Sequence, residues 1–592
     1  MSTQPIVILK LGSSVLRDAA HCAGAVHEIY RHVRAGERVV AVVSALEGET
    51  QRLLGAAAAV DAEPDPHLYA ELLGLGEQAS TLLLAMALDR AGVPAARLGP
   101  AELTLRASGD PRNADPASID AAALRHALQE HAVAIVPGFV ALDAGGRPVL
   151  LGRGGSDLTA LFIAAALGNA RCRLLKDVDG IYETDPARSE AAPRRYATLP
   201  WAEAQRVAGK LVQPKAIEYA AAQRLDFEVA ALAAGQGTRV GACPVRFAAA
   251  AAPSRRLRVA LFGAGTVGYG VYQLLARQPE RFEVVGVAVH DLAKARPGDL
   301  PRALLCDDPF ELLQQPSDVV VELIGGESPA LELMAHALES GRDVVTANKP
   351  VVAEHGDLLE ELATRNGRRL AFSASVGGSL PCVELVRLAA TRGPLRRVEG
   401  VLNGTCNFIL DQVAAGAPFA NALGEAQRRG FAEADPSQDV SGQDAASKLR
   451  ILARLAFGKD PGRHGIRCTG IEDLPPHAAA GSKDDARAPG RVTRLVASCR
   501  RDGEGLLAEV APLQLAPSHP LAGVRGEWNH LRLELADGST LEASGKGAGR
   551  WPTAEAVVAD LVDLWRAAAA AGDRVVEQGA EKTQSRRLAA AG

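Results

Sequence analysis

Three stretches of this chain carry residue types and spacings suited to chemistry. The first is Gly263-x-Gly265-x-x-Gly268, which follows the apolar run LRVALF and precedes the helical pattern VYQLLARQ. The first glycine of such a turn permits a tight bend, the second lets the backbone approach a pyrophosphate, and the third lets helix pack closely on strand. The free N–H groups at the helix start then face the phosphates. With strand before and helix after, the motif points to dinucleotide binding, with Thr266 and Val267 inside the turn. Roughly 20 residues on, where the ribose is read, stand His290 and Asp291, with Lys294 and Arg296 close behind. Asp291 suits a 2′-hydroxyl and hence NAD; Lys294 and Arg296 suit a 2′-phosphate and hence NADP. The spacing leaves both open.

The second stretch runs from Gly430 to Lys448. Asp444 and Lys448 are four apart and share a helix face, and the helix continues into LRILARLAF, so one side is buried. Asp439 and Glu433 lie upstream in the lead-in. Carboxylates of this kind can hold a substrate ammonium while a lysine handles a proton. On spacing alone the pattern equally fits a solvated, acid-rich helix start.

The third stretch is dispersed through the first half. No GxxxxGK[ST] occurs, which excludes a P-loop. Instead a strand at Ile6–Leu9 leads to Lys10-Leu11-Gly12-Ser13-Ser14, an ammonium and turn amides placed for phosphate oxygens. VVSALEGET places Ser44 at a strand end and Thr50 in the next turn. Gly76-Glu77, Gly152-Arg153-Gly154-Gly155-Ser156-Asp157 and Lys176-Asp177-Val178-Asp179-Gly180-Ile181-Tyr182 follow. Each Gly-rich turn alone fits a purely structural role.

The elements that must position these groups alternate apolar runs with amphipathic stretches, an α/β pattern. Strands are expected at Val39–Val43, Ala132–Val136 and Arg173–Leu175, then at Leu257–Phe262, Glu283–Val289, Asp318–Leu323 and Asp343–Thr346. The seam is FAAAAAPSRR at Phe247–Arg256, and a strand-rich segment spans about Arg491 to Ser544. The tail Thr583–Gly592, polar and then Ala-rich, is expected to fray. At 592 residues, 47% hydrophobic and 23% charged, the chain has core material for several domains. A net charge of −5 argues against a nucleic-acid binder with a basic surface. No apolar run reaches the length of a membrane span, and the start lacks the layout of a signal peptide. The eight scattered cysteines form no CxxC pair, arguing against a zinc site or disulfide framework. A cytoplasmic enzyme acting on small molecules is expected.

From about Leu257 to Arg566 the sequence resembles homoserine dehydrogenase. The matching stretches are GAGTVGYG, VVVELIGG, VVTANKP, ASVGGSLP, LNGTCN, GFAEADP with its downstream Asp, Asp and Lys, and GKGAGRWPTAEAV. The resemblance implies that Lys349 lies beside nicotinamide and substrate, with Thr346 in the cofactor site, and that Lys448 donates a proton to an aldehyde oxygen. It implies that Glu433, Asp439 and Asp444 bind the amino-acid part of the substrate near Gly404 and Thr405. Gly547, Ala548 and Gly549 would return the chain to the cofactor. Backbone carbonyls at Ser373, Val376, Gly378 and Leu380 would hold a monovalent cation, sodium or potassium. Ser373 stands where the family usually has Glu, and Phe431 where it often has Tyr.

Residues from about 4 to 245 resemble the amino-acid kinase family, and within it aspartate kinase, through VVSALEGET and GKLVQPKAI. The resemblance implies ATP with magnesium. Lys10 and Lys210 would neutralise phosphates, with Asp157 alongside as a catalytic group. Ser44, Thr50, Glu77 and Arg153 would hold aspartate; Asp177 and Tyr182 would line the nucleotide pocket. KLGSSVL departs from that family's usual opening motif and is closer to glutamate 5-kinase, and Gln78 stands where Arg is usual. A dehydrogenase whose N-terminal half serves only as an oligomerisation scaffold is therefore the alternative.

The expected architecture is an amino-acid-kinase αβα sandwich at 1–247 and a linker at 248–256. A Rossmann domain follows at 257–390, then an α+β catalytic domain at 391–540 and a returning segment at 541–580. A homo-oligomer, dimer or tetramer, is expected. Fused enzymes of this kind usually carry small regulatory ACT domains between the halves, and the linker here is too short for one.

Overall fold

β-Branched and alanine-rich runs such as RVVAVV and VAIVP are buried on both faces, as strands covered by helices on either side must be. The computed structural model describes residues 4–186, 193–249, 255–296, 298–472, 474, 490–503 and 505–589. It divides into two compact units at Ala252–Pro253. Of the expected linker, residues 250–254 lie outside the described residues.

Among the described residues the first unit holds a nine-stranded sheet. Its centre is parallel: Phe227–Ala231, Arg171–Lys176, Ile6–Leu11, Arg38–Val43, Val133–Pro137 and Ala95–Arg97 run side by side. A smaller sheet, from Asp115–Ser118, Arg106–Ser108, Val140–Leu142 and Pro148–Leu150, lies apart from it. Lys10 and Lys176 are thus carried on adjacent parallel strands, and the helix Gly155–Leu167 brings Asp157 in its first turn.

The second unit opens with a parallel six-stranded sheet. Numbered by sequence its strands lie in the order 3-2-1-4-5-6: Leu305–Cys306, Phe282–Ala288, Leu257–Phe262, Val319–Glu322, Asp343–Thr346, Leu370–Ala371. This is the doubly wound dinucleotide-binding order, whose ligand crevice opens at the carboxyl ends of the strands where the order reverses. A second six-stranded sheet, mostly antiparallel, is built from Ile466–Cys468, Gly505–Leu515, Val492–Asp502, Leu395–Val401, Trp528–Leu535 and Thr540–Lys546. Four of these strands fall in the segment expected to be strand-rich. The helix Gln443–Phe457 buries Leu449, Ile451, Leu452 and Ala453, which aims Asp444 and Lys448 from a fixed base. The closing helix Arg550–Ala589 packs Ala554, Val557, Val558 and Leu561 into one apolar cluster with Val271, Leu274 and Leu275 of the first Rossmann helix. The tail expected to fray is helical to Ala589; its last three residues lie outside the described ones.

Candidate active sites

Each glycine of the GxGxxG turn has its own constraint. Gly263 sits at φ +102°, and a Cβ there would lie 2.6 Å from the Leu323 carbonyl oxygen. A Cβ at Gly268 would lie 2.0 Å from the Gly263 carbonyl oxygen, so only glycine lets the helix Thr266–Ala276 seat on its strand. Gly265 has nothing within 4 Å of a Cβ position. It is the open position, at the helix N-cap, where no side chain takes the first N–H groups. A cavity of about 800 Å³ opens there, lined by Gly263, Gly265, Thr266, His290, Asp291, Lys294 and Arg296. That space and those free donors fit a dinucleotide pyrophosphate. Val267 packs into the apolar cluster beside the turn. Asp291 Oδ1 accepts the N–H groups of Ala293 at 2.7 Å and Lys294 at 3.3 Å, tying one oxygen to its own loop. Arg296 donates to the carbonyls of Asp291 and Lys294.

The second site is centred on Asp444. One carboxylate oxygen pairs with Lys349 and the other with Lys448 at 2.9 Å. Lys448 is buried and donates to the Leu402 carbonyl at 2.7 Å. Asn403 Nδ2 donates to Asp444 Oδ2 at 2.9 Å and to Asp439 Oδ1 at 2.7 Å, closing a network of two lysines, two aspartates and an amide. Burial alone would raise the Asp444 pKa; the two ammonium groups outweigh it and hold the carboxylate well below its ordinary range. The Asp439 carboxylate accepts from Asn403 and, among the described residues, pairs with no lysine. Burial, reinforced by the charge of Asp444, raises its pKa.

Helix starts fix these groups. Asn348 caps the helix Lys349–Arg365, its side chain accepting the Val351 N–H, and so sets Lys349 at the first turn. Asn348 also donates to the Gly326 carbonyl at 2.7 Å, and its N–H bonds to Thr346 Oγ1 at 2.9 Å. Thr346 in turn donates to the fully buried Glu322 at 2.6 Å. Asn403 caps the helix Gly404–Ala414, and a Cβ at Gly404 would lie 2.4 Å from the Glu527 carbonyl oxygen. Thr405 donates to the Phe431 carbonyl at 2.7 Å. Glu433 is exposed and is not brought into the network.

Ser373, Val376, Gly378 and Leu380 are buried together. The Ser373 hydroxyl donates to Glu384 and, at 2.9 Å, to Asp560. The Leu380 carbonyl already accepts the Cys382 N–H at 2.7 Å. This turn abuts the segment holding Gly547: the Ser379 N–H donates to the Lys546 carbonyl, and a Cβ at Gly378 would lie 2.7 Å from that same oxygen. Ala548 and Gly549 are exposed and lead into the closing helix.

In the first unit the buried Lys10 pairs with Asp157 at 2.8 Å, and Lys176 pairs with the same carboxylate at 2.9 Å. Burial would raise the Asp157 pKa, but the two lysines lower it. Burial and the neighbouring Lys10 push Lys176 down to about 8. A Cβ at Gly12 would lie 2.9 Å from the Lys10 ammonium nitrogen, so the bare turn leaves that ammonium its place. Glu77 accepts the Ala45 N–H at 3.1 Å, and burial pushes its pKa up to about 7. Ser44 precedes Ala45 in the chain, its N–H bonding to the Leu11 carbonyl at 3.0 Å, and Thr50 lies in the first turn of the helix Glu49–Val60. Arg153, Asp177 and Lys210 are exposed and do not join the cluster; Tyr182 donates to Asp179 at 2.6 Å. The second lysine beside Lys10 is Lys176.

Four residues of these sites lie in stretches noted from sequence but were given no role there: Asn403, Asn348, Glu322 and Lys176. Two had a readable signal, an Asn placed as N-cap before a helix. Glu322 showed only as a carboxylate ending an apolar strand. Lys176 showed only as a lysine at a strand end.

Family models match the chain in three places. One described as amino acid kinase family covers residues 5–229. One described as homoserine dehydrogenase, NAD binding domain, covers 263–373, and one described as homoserine dehydrogenase covers 381–562. Homoserine dehydrogenase of Corynebacterium glutamicum is 38% identical over 329 residues, 53% of this chain and 73% of that protein. The Bacillus subtilis homoserine dehydrogenase is 37% identical over 323 residues, with the same shares of 53% and 73%. A crystal structure of homoserine dehydrogenase from Thiobacillus denitrificans is similar at 36% identity and a TM-score of 0.48, over 53% of this chain and 74% of that one.

Proposed function

Because this chain belongs to the homoserine dehydrogenase family and carries an amino acid kinase domain ahead of it, we propose that it catalyses two steps on one carbon skeleton. One is ATP-dependent phosphorylation of L-aspartate to 4-aspartyl phosphate. The other is NAD(P)H-dependent reduction of L-aspartate 4-semialdehyde to L-homoserine. The observation that carries the dehydrogenase reading is Asp444 held between Lys349 and Lys448 at the edge of a dinucleotide-binding fold.

The nicotinamide dinucleotide supplies hydride when bound on the Gly263–Gly268 turn, with Thr346, Lys349 and the Gly547–Gly549 segment on its nicotinamide side. Lys448 holds a proton for the aldehyde oxygen, held in place and aimed by Asp444 and the Leu402 carbonyl. Asp439, with an oxygen left for a ligand, takes the substrate ammonium together with Glu433, while Gly404 and Thr405 form the adjoining wall. Lys349 offsets charge at the reacting end. Lys294 and Arg296 on the cavity wall are available to a 2′-phosphate. A monovalent cation at Ser373, Val376, Gly378 and Leu380 would have the carboxylates of Glu384 and Asp560 close by.

In the kinase, Lys10 and Lys176 neutralise phosphate charge and Asp157 keeps both in place. Magnesium would arrive with ATP. Glu77, Ser44 and Thr50 receive aspartate, and the exposed Arg153 and Lys210 close on the bound substrates, Arg153 as a bidentate carboxylate grip. Asp177 and Tyr182 border the nucleotide. We place the enzyme in the cytoplasm; among the described residues no helix is long and apolar enough to cross a membrane.

The test assays the purified full chain separately for aspartate-dependent ADP release and for homoserine-dependent NAD(P) reduction. Both activities are expected. ADP release with glutamate instead of aspartate overturns the kinase substrate, and release with neither leaves the first unit as a scaffold.

A further inference from the structure

The strand Trp528–Leu535 alternates half-buried and buried positions, and its buried series is Asn529, Leu531, Leu533 and Leu535. An apolar side chain would fit the first place as it does the other three. An amide there gives up its water, and Asn529 is fully buried. Its Oδ1 finds no donor among the described residues. What the amide contributes is its N–H: Nδ2 donates to the Leu402 carbonyl at 3.1 Å. The same oxygen accepts the Lys448 ammonium at 2.7 Å. A carbonyl oxygen has two lone pairs. Asn529 occupies one, so Lys448 is directed to the other.

We propose that Asn529 is a positioning residue for proton transfer by Lys448, acting through the Leu402 carbonyl. The inference rests on the dehydrogenase reading above. Strand pairing puts the amide in place: Val401 pairs with His530 in the antiparallel ladder, so Asn529 stands opposite Leu402 where that ladder ends. On its other side Asn529 pairs with Gly545, and a Cβ at Gly547 would lie 1.7 Å from Nδ2. The bare backbone at Gly547 therefore leaves the amide its room. Leu402 leads directly into Asn403, whose side chain bridges Asp439 and Asp444. One amide thus pins the turn that holds both the lysine and the two aspartates. Without it the Leu402 carbonyl keeps a single donor, and the ammonium is free to swing about that oxygen. Misplacing a reacting group by about 1 Å costs up to roughly 10²-fold in rate.

The test is steady-state homoserine oxidation by the full chain, beside fluorescence titration with NADPH. Asn529→Leu keeps nearly the same shape and continues the apolar series of its strand, so a purely structural role would survive it. Asn529→Ala decides the matter if the leucine chain does not fold. Each variant is expected to lower kcat by roughly 10- to 10²-fold, with NADPH affinity and the KM for homoserine near wild type. Each is also expected to raise the solvent deuterium isotope effect on kcat, because proton transfer becomes the slow step. Added to Lys448→Ala, Asn529→Ala should cost nothing further, since it acts through that lysine. A wild-type kcat in either folded variant, an equal loss in the Lys448→Ala background, or a slower rate with an unmoved isotope effect would each overturn the inference. A wild-type chain that oxidises no homoserine would bring down the dehydrogenase reading, and this inference with it.

Discussion

Asp444 holds two ammonium groups with one carboxylate, and the consequence at residue scale is a division of labour. Lys448, buried and doubly anchored, is placed to give up a proton; Lys349 is more open and adds charge. Lys448→Ala should cut turnover by roughly 10²–10⁴-fold, the size of a lost acid–base contribution, while NADPH still binds. Fluorescence titration of the cofactor beside steady-state rates checks this, and near-normal kcat would remove the proton-donor role. In the kinase, burial raises Glu77 to about 7 from an ordinary 4.5. Between those pH values the folded state keeps a proton that the unfolded state has released. Stability therefore falls as pH rises through this window, and the loss persists above it. Glu77→Gln keeps an acceptor for the Ala45 N–H and removes the charge. It should raise stability at pH 8 by about 1–3 kcal/mol, the cost of an uncompensated buried group, with no gain near pH 4.5. The same variant should raise the KM for aspartate, since the substrate ammonium loses its counter-charge. Thermal melts at the two pH values decide it; a pH-independent difference would mean that Glu77 does not titrate there.

At the scale of elements, the three glycines of one turn have separable jobs. A Cβ at Gly268 meets the Gly263 carbonyl at 2.0 Å, whereas one at Gly265 meets nothing. Gly268→Ala should therefore push helix from strand and lower the melting temperature of the second unit, losing cofactor binding as a by-product. Gly265→Ala should leave folding stability within about 0.5 kcal/mol of wild type, as surface changes do, and weaken dinucleotide binding alone. Calorimetry on both variants with and without NADPH separates the two; equal destabilisation would put the close approach at the wrong glycine. The caps matter for the same reason. Asn348 and Asn403 each end a loop, start a helix and touch a site network, so their side chains convert a helix boundary into the position of a functional group.

For the whole molecule, the short connection between units bears on regulation. Strand Arg246–Phe247 closes the first sheet and strand Leu257–Phe262 opens the next, leaving only residues 248–256 between them. A folded effector-binding domain does not fit in that length. Threonine and lysine at millimolar concentration are expected to leave both activities nearly unchanged, because an effector shifts activity only through a site that distinguishes two states. A saturable inhibition curve of the kinase by threonine would show that a catalytic domain itself holds an effector site.

The sequence by itself determined the alternation of strands and helices, the glycine turn and the shared helix face of Asp444 and Lys448. All three depend on short-range periodicity: a strand, a bend and a helix within about twenty residues, or two side chains one helical turn apart. It also set the seam near Pro253, where apolar patterning breaks into alanine, proline and arginine. Only the tertiary structure decided which distant groups meet. Lys349 joins Asp444 across 95 positions of sequence, and Lys176 joins Asp157 across 19. It left Glu433, Arg153 and Lys210 exposed and put Lys176 beside Lys10 on neighbouring parallel strands. Local pattern fixes which face of an element is apolar, but the strand order of a sheet fixes its neighbours, and that order is settled by how whole layers cover one another.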